Sequence, residues 1–176
     1  VESLCSINAQ PLVDATCVKA LDLLATALRA YVANPQDIEG RAAAQSGAWL
    51  ASTGINRTDY GASHGLGHVL GADSGVPHGI TSCVLLPTVM RYNTEACAPQ
   101  LRAIAQALGD ADVPAADQVE ALIRAIGLPT RIGELGIDRA RIEVMAQKAM
   151  GSPWVRTNPR PISQPAQAAE ILNSAW

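Results

Sequence analysis

Phenylalanine is missing from this chain of 176 residues, and tyrosine and tryptophan contribute only three residues each. A sheet sandwich leans on aromatic side chains. A core without them falls to Ala, Leu, Ile and Val, which suits close-packed helices better. Charge is scarce as well: 16% of residues are charged and the net charge is -3, so no basic surface is available for a nucleic acid or an anionic membrane. No stretch approaches the roughly 20 apolar residues that a membrane span needs, and nothing at the start resembles a cleavable signal. An initiating methionine is also lacking. Val1-Glu2-Ser3-Leu4 reads like the inside of a helix, so the expectation is a C-terminal piece of something longer. Paired-cysteine motifs are absent too: Cys5, Cys17, Cys83 and Cys97 lie far apart and form no CxxC. They read as buried thiols, with a reducing cytoplasm as the default compartment.

What the sequence does contain is helical punctuation. From Leu12 to Val32 apolar residues fall on almost every face, which predicts a central, buried helix opened by Pro11 and stopped by Asn34-Pro35. Further helices are expected from Gln36 to about Thr53, and from Ala62 to Ala72 with a break at Asp73-Ser74-Gly75. Another starts at Pro77, runs through Val84 to Met90 and carries a kink at Pro87. Shorter amphipathic helices follow: Gln100 to Leu108, Ala115 to Ile126, and Asp138 to Met150 with Asp138 as N-cap. A Pro-rich connector from Pro153 to Pro165 leads to a last helix ending in Trp176. No repeat and no strand alternation interrupts this series. The predicted class is all-α, in one domain spanning residues 1–176.

The chemistry concentrates in the histidines. The chain has three, His64, His68 and His78, within fifteen consecutive positions. His64 and His68 are four apart, which puts both rings on one helix face. The turn after Asp73 lets His78 face His64 across the corner. Converging imidazoles suit a borderline divalent ion such as Fe²⁺ or Zn²⁺. The glycines of Ser63-His64-Gly65-Leu66-Gly67-His68-Val69-Leu70-Gly71 weaken a helix, a cost tolerated where backbone or ligand must come close. Gly65 stands where a zinc protease of the HExxH type carries its glutamate, so that chemistry is excluded. Gly65-x-Gly67-x-x-x-Gly71 is one residue too long for a dinucleotide fingerprint, and no strand precedes it. Two readings stay open at this level, a self-contained three-histidine zinc hydrolase and a non-catalytic helical fragment that only packs against partners; a third, a hydride-transferring enzyme, is what the family resemblance of the next segments implies.

The segment Gly61-Ala62-Ser63-His64-Gly65-Leu66-Gly67-His68-Val69-Leu70-Gly71-Ala72, with Val76-Pro77-His78-Gly79 and Leu85-Leu86-Pro87-Thr88-Val89-Met90-Arg91-Tyr92-Asn93, strongly resembles the signature of iron-containing alcohol dehydrogenases. The match is gap-free and extends to both ends, through Val1-Glu2-Ser3-Leu4 and Thr157-Asn158-Pro159-Arg160. Ser63, Thr81-Ser82-Cys83 and Asn158-Pro159-Arg160-Pro161 resemble the maleylacetate reductase branch. The resemblance implies the helical C-terminal domain of a dehydroquinate synthase-like fold, joined in the parent protein to an N-terminal domain that binds NAD(P). A small-molecule substrate would sit in the cleft between them. It further implies a divalent metal held by one Asp and three His. His64 and His78 match the third and fourth of these ligands, and the other two belong upstream of Val1. His68 matches a non-ligand histidine beside the nicotinamide and substrate, with a proton-relay role. Pairing of two copies as a homodimer is left open.

Other residues draw plainer expectations. Cys83 reads as an inert buried thiol, and Asp59 and Asp73 as loop or cap residues rather than ligands. Trp49 reads as core packing, with a place under the substrate cleft as the alternative. Trp154 and Trp176 read as anchors of the C-terminal connector. An exposed apolar face is expected where the missing domain would dock.

Overall fold

The computed structural model describes residues 1–176 and contains no β-strand. It opens on a turn in which the N–H groups of Leu4 and Cys5 both donate to the Val1 carbonyl, at 3.0 and 3.2 Å. Nine α-helices follow: α1 Pro11–Ala33, α2 Ile38–Ala51, α3 Ala62–Ser74, α4 His78–Tyr92, α5 Ala98–Leu108, α6 Ala115–Ala125, α7 Ile142–Ala149, α8 Pro153–Arg156 and α9 Pro165–Ser174. The class is all-α, as expected. No helix is long and apolar enough to cross a membrane. All four cysteines are free thiols.

Most helix limits agree with the sequence to within two residues, and the departures have local causes. Asp73 and Ser74 stay helical; Gly75 stops α3 at φ 68°, a left-handed conformation that costs glycine little. α4 runs unbroken through Pro87. Asp138 caps only a 3-10 turn, Arg139–Arg141, by accepting from the Ala140 N–H at 2.9 Å, and α7 begins after it. The Pro-rich connector contains α8, opened by Pro153 at its first position.

The central helix is α4, not α1. Between His78 and Arg91 α4 carries no charged residue, and Thr81, Val84, Leu85, Thr88, Val89 and Met90 are all buried. Leu85 and Val89 belong to a core shared with α3, α7 and α9, whereas Met90 belongs to a second core with α1, α5 and α6. α1 instead bears Asp14, Lys19, Asp22 and Arg29 and forms an edge hairpin with α2. Its Leu12 is 67% exposed. Apolar residues around every face do not bury a helix whose faces also carry charge. Gly47 of α2 packs so tightly on α1 that a Cβ there would meet Leu24 Cγ at 2.8 Å. Two residues further on, about 200° round the helix, Trp49 is turned outward and 71% exposed, so it does not pack in the core. Exposed Ile38 and Ile55 lie on the same hairpin region.

Asp73 ties the end of α3 to α7. Its carboxylate, almost wholly buried, accepts from Arg141 Nη2 at 2.7 Å, Arg141 Nε at 3.1 Å and Lys148 Nζ at 2.9 Å. Hydrogen bonds from Arg141 and then Lys148 pull its pKa from 3.8 down to about 2. A carboxylate with a depressed folded-state pKa stabilises the fold above its unfolded value and loses that contribution as pH falls towards the folded one. The window is therefore from 3.8 down to about 2. Both basic partners are about half exposed, so the screened contribution is on the order of 1 kcal/mol. Urea unfolding at pH 5 and at pH 2.5 should show this loss in the wild type, and Asp73→Asn should remove that part of the difference.

Candidate active site

The site is built around the first turn of α3. Three of its orphan N–H groups are met by side chains distant in sequence. Ala62 N–H donates to Asn158 Oδ1 at 3.0 Å, Ser63 N–H to Glu2 Oε1 at 2.8 Å, and His64 N–H to Glu2 Oε2 at 3.3 Å. A carboxylate at this end also suits the helix dipole. Asn158 is itself buried and fully used. Its Oδ1 also accepts from Asn93 Nδ2 at 3.1 Å, and its Nδ2 donates to Asn93 Oδ1 and to the Arg160 carbonyl, both at 2.7 Å. Thr157 Oγ1 donates to the Tyr60 carbonyl at 2.7 Å. The chain start, the end of α4 and the segment after α8 thus fix one helix terminus.

That terminus places the rings. His64 Nδ1 meets the Glu2 carboxylate, and the Tyr60 ring lies flat on the His64 imidazole with centroids 4.0 Å apart and planes 8° apart. His68 follows one turn later. The reversal at Gly75 brings back His78 at the start of α4, with its centroid 5.6 Å from that of His64 and 5.2 Å from that of His68. The three rings therefore converge on one corner. Trp154 of α8 closes one side, edge-on to His68 at 4.4 Å and to His64 at 6.2 Å. It comes this near because residue 65 has no side chain: a Cβ there would meet Val155 Cγ2 at 2.6 Å and Val155 N at 2.9 Å. Gly67 and Gly71 likewise face Thr81 and the Val76 carbonyl. The glycine frame serves helix-on-helix approach.

His68 and His78 are exposed and His64 half-buried, so the corner opens to solvent. His68 lines a groove of about 560 Å³ with Val69, Ser152 and Trp154; His64 lines another of about 390 Å³ with Glu2, Tyr60, Ser82 and Leu86. Desolvation lowers the His68 pKa, and the neighbouring His78 and His64 rings lower it further, which favours its neutral form. Burial, aided by the Glu2 charge, raises the Tyr60 phenol and keeps it protonated. Asp73 is occupied by Arg141 and Lys148, and Asp59 is exposed and held through its backbone by Ser6 and Asn8. Burial raises the Cys83 thiol, which fits an inert role. No group of three or more His, Cys, Asp or Glu within the chain is placed to hold a metal ion.

A model of the Fe-containing alcohol dehydrogenase family, C-terminal, matches residues 1–176. The chain belongs to the iron-containing alcohol dehydrogenase family. Among its relatives in that family, lactaldehyde reductase of Escherichia coli (strain K12) is 32% identical, with all of this chain covered and 48% of the reductase. Maleylacetate reductase 1 of Cupriavidus pinatubonensis is 31% identical, with 98% and 48% covered. The crystal structure of maleylacetate reductase from Agrobacterium tumefaciens superposes with a TM-score of 0.90 at 28% identity, over 99% of this chain and 48% of that one. The chain spans about half the length of the curated relatives it matches. Alcohol dehydrogenases and maleylacetate reductases stand at equal distance, so overall identity does not separate the branches.

Sequence reasoning missed Glu2, Tyr60 and Trp154 at this corner. A carboxylate and two rings scattered over 153 positions carry no periodic signal. The one available hint was Gly65, which marks where another segment must come close.

Proposed function

We propose that this chain is the metal- and substrate-facing half of an NAD(P)-dependent oxidoreductase that moves hydride between nicotinamide and an alcohol–carbonyl pair or a maleylacetate-type substrate. The observation that carries this is the convergence of His64, His68 and His78 on one open corner.

The donor set fits a divalent metal. Two imidazoles on one tetrahedral ion, each about 2.0–2.1 Å from it, hold their ring centroids roughly 5 Å apart. The 5.6 Å between His64 and His78 agrees with that spacing. Imidazole suits Fe²⁺ or Zn²⁺. Two ligands from this chain leave positions for the Asp and His that the family pattern puts upstream of Val1, and for substrate. Ring spacing alone does not choose among the three histidines; the assignment of His64 and His78 as ligands follows the family motif. When bound, the ion supplies Lewis acidity at the substrate oxygen. A nicotinamide held mainly by an N-terminal domain of the same parent protein would supply or take the hydride.

The chain's own groups do the rest. His68, neutral and exposed, passes the hydroxyl proton between substrate and solvent. Trp154 walls the corner edge-on at His68, and Tyr60 covers one face of the His64 ring. Ser63, Thr81-Ser82-Cys83 and Asn158-Pro159-Arg160-Pro161 favour the maleylacetate reductase branch, in which hydride reduces a carbon–carbon double bond conjugated to a carbonyl. The setting is a reducing cytoplasm.

The test uses the full-length protein. His64→Ala should lose both tightly bound metal and NAD(P)-linked turnover, and the 176-residue chain alone should oxidise no NADH. Full turnover in His64→Ala, or NADH oxidation by the isolated chain, would reject the reading.

A further inference from the structure

We infer that Glu2 is a positioning residue that fixes the tautomer and direction of the His64 ring; the inference rests on the metal reading above. Glu2 is the only carboxylate in hydrogen-bond contact with any of the three imidazoles, and its side chain is only 9% exposed. It is held from two sides. Oε1 accepts from the Ser63 N–H at 2.8 Å, and Oε2 accepts from the His64 N–H at 3.3 Å while it also faces His64 Nδ1. Leu4 and Cys5, buried two and three residues on, anchor the segment that carries it.

An ionised carboxylate is an acceptor only. Facing it, Nδ1 must carry the proton, so the lone pair of the neutral ring sits on Nε2. The flat Tyr60 ring prevents His64 from rotating away. The available nitrogen is thereby aimed outward from Glu2 before any ligand arrives. A metal-bound histidine commonly donates its second N–H to a carboxylate in this way, and loss of such a partner costs 10–100-fold in metal affinity or activity. His68 and His78 have no such partner. Helix capping explains the two backbone contacts but does not require a contact to the ring.

The experiment is long-range ¹H–¹⁵N correlation on the histidine-labelled, chelator-treated full-length protein, followed by a Zn²⁺ titration read on the same resonances. His64 is expected to be Nδ1-protonated in the wild type. In Glu2→Ala it should shift towards the Nε2-protonated form that an unrestrained histidine favours, with Zn²⁺ affinity at Nε2 weakened 10–100-fold. A wild-type His64 that is already mainly Nε2-protonated overturns the inference without recourse to any variant, so a poorly folded Glu2→Ala cannot shield it. An unchanged tautomer and unchanged Zn²⁺ affinity in a folded Glu2→Ala overturn it too. If Glu2 sets the tautomer but Zn²⁺ moves no histidine resonance, positioning by Glu2 is supported and the metal reading is what fails.

Discussion

His68→Ala in the full-length protein is expected to lower kcat by about 10²–10⁴-fold while leaving the bound metal in place. The size is that of a general acid–base group, and two features of the corner suit His68 to that part. Its pKa lies below the ordinary histidine value, through desolvation first and the neighbouring imidazoles second, which favours the neutral, proton-accepting form. It is exposed, and it lines the groove beside Trp154, so a proton it receives has a way out to solvent. Metal content separates this variant from His64→Ala: one should lose turnover alone, the other turnover and metal. Partial rescue of His68→Ala by added imidazole would identify a lost proton carrier rather than a collapsed wall. Turnover within a few-fold of wild type would remove His68 from the chemistry.

The histidine corner was legible because its parts lie close in sequence. A four-residue spacing on a helix and a short reversal are local features, and periodicity with turn chemistry describes them well. Helix limits were legible for the same reason, down to Pro11 and Gly109. The errors arose where a local pattern met a global question. α1 and α4 both look apolar on all sides, yet only α4 is free of charge over most of its length, and of the two only α4 contributes to both cores. Trp49 is turned outward because Gly47 occupies the inner face, a choice set by how tightly two helices approach. The Glu2–His64, Asn158–Ala62 and Thr157–Tyr60 contacts span between 62 and 97 positions. Single-chain spacing holds no information about such pairs; the conspicuous Asn-Pro-Arg run is visible in sequence, but its work as the cap of α3 is not.

The same reasoning assigns opposite signs to two glycine substitutions on neighbouring helices. Gly79→Ala, in the first turn of α4, meets nothing within 4 Å and has no positive φ, so it should stabilise the fold by roughly 0.5–1 kcal/mol through helix propensity and reduced freedom of the unfolded chain. Gly65→Ala gains the same propensity, about 1 kcal/mol, but drives a methyl group against Val155. One contact, at 2.6 Å, is a side-chain methyl that can turn aside; the other, at 2.9 Å, is the backbone nitrogen of α8, which moves only if α8 moves. Overpacking of this kind costs about 1–3 kcal/mol, and an obstructing backbone puts the case at the upper end. The expected net destabilisation is therefore about 2 kcal/mol, measurable by urea unfolding. The functional loss should be larger than that figure suggests, because the relief of the clash carries Trp154 away from His68. Tryptophan fluorescence should change in Gly65→Ala and hold in Gly79→Ala. Equal stability in the two variants would mean that α3 and α8 do not approach as closely as the geometry of the corner demands.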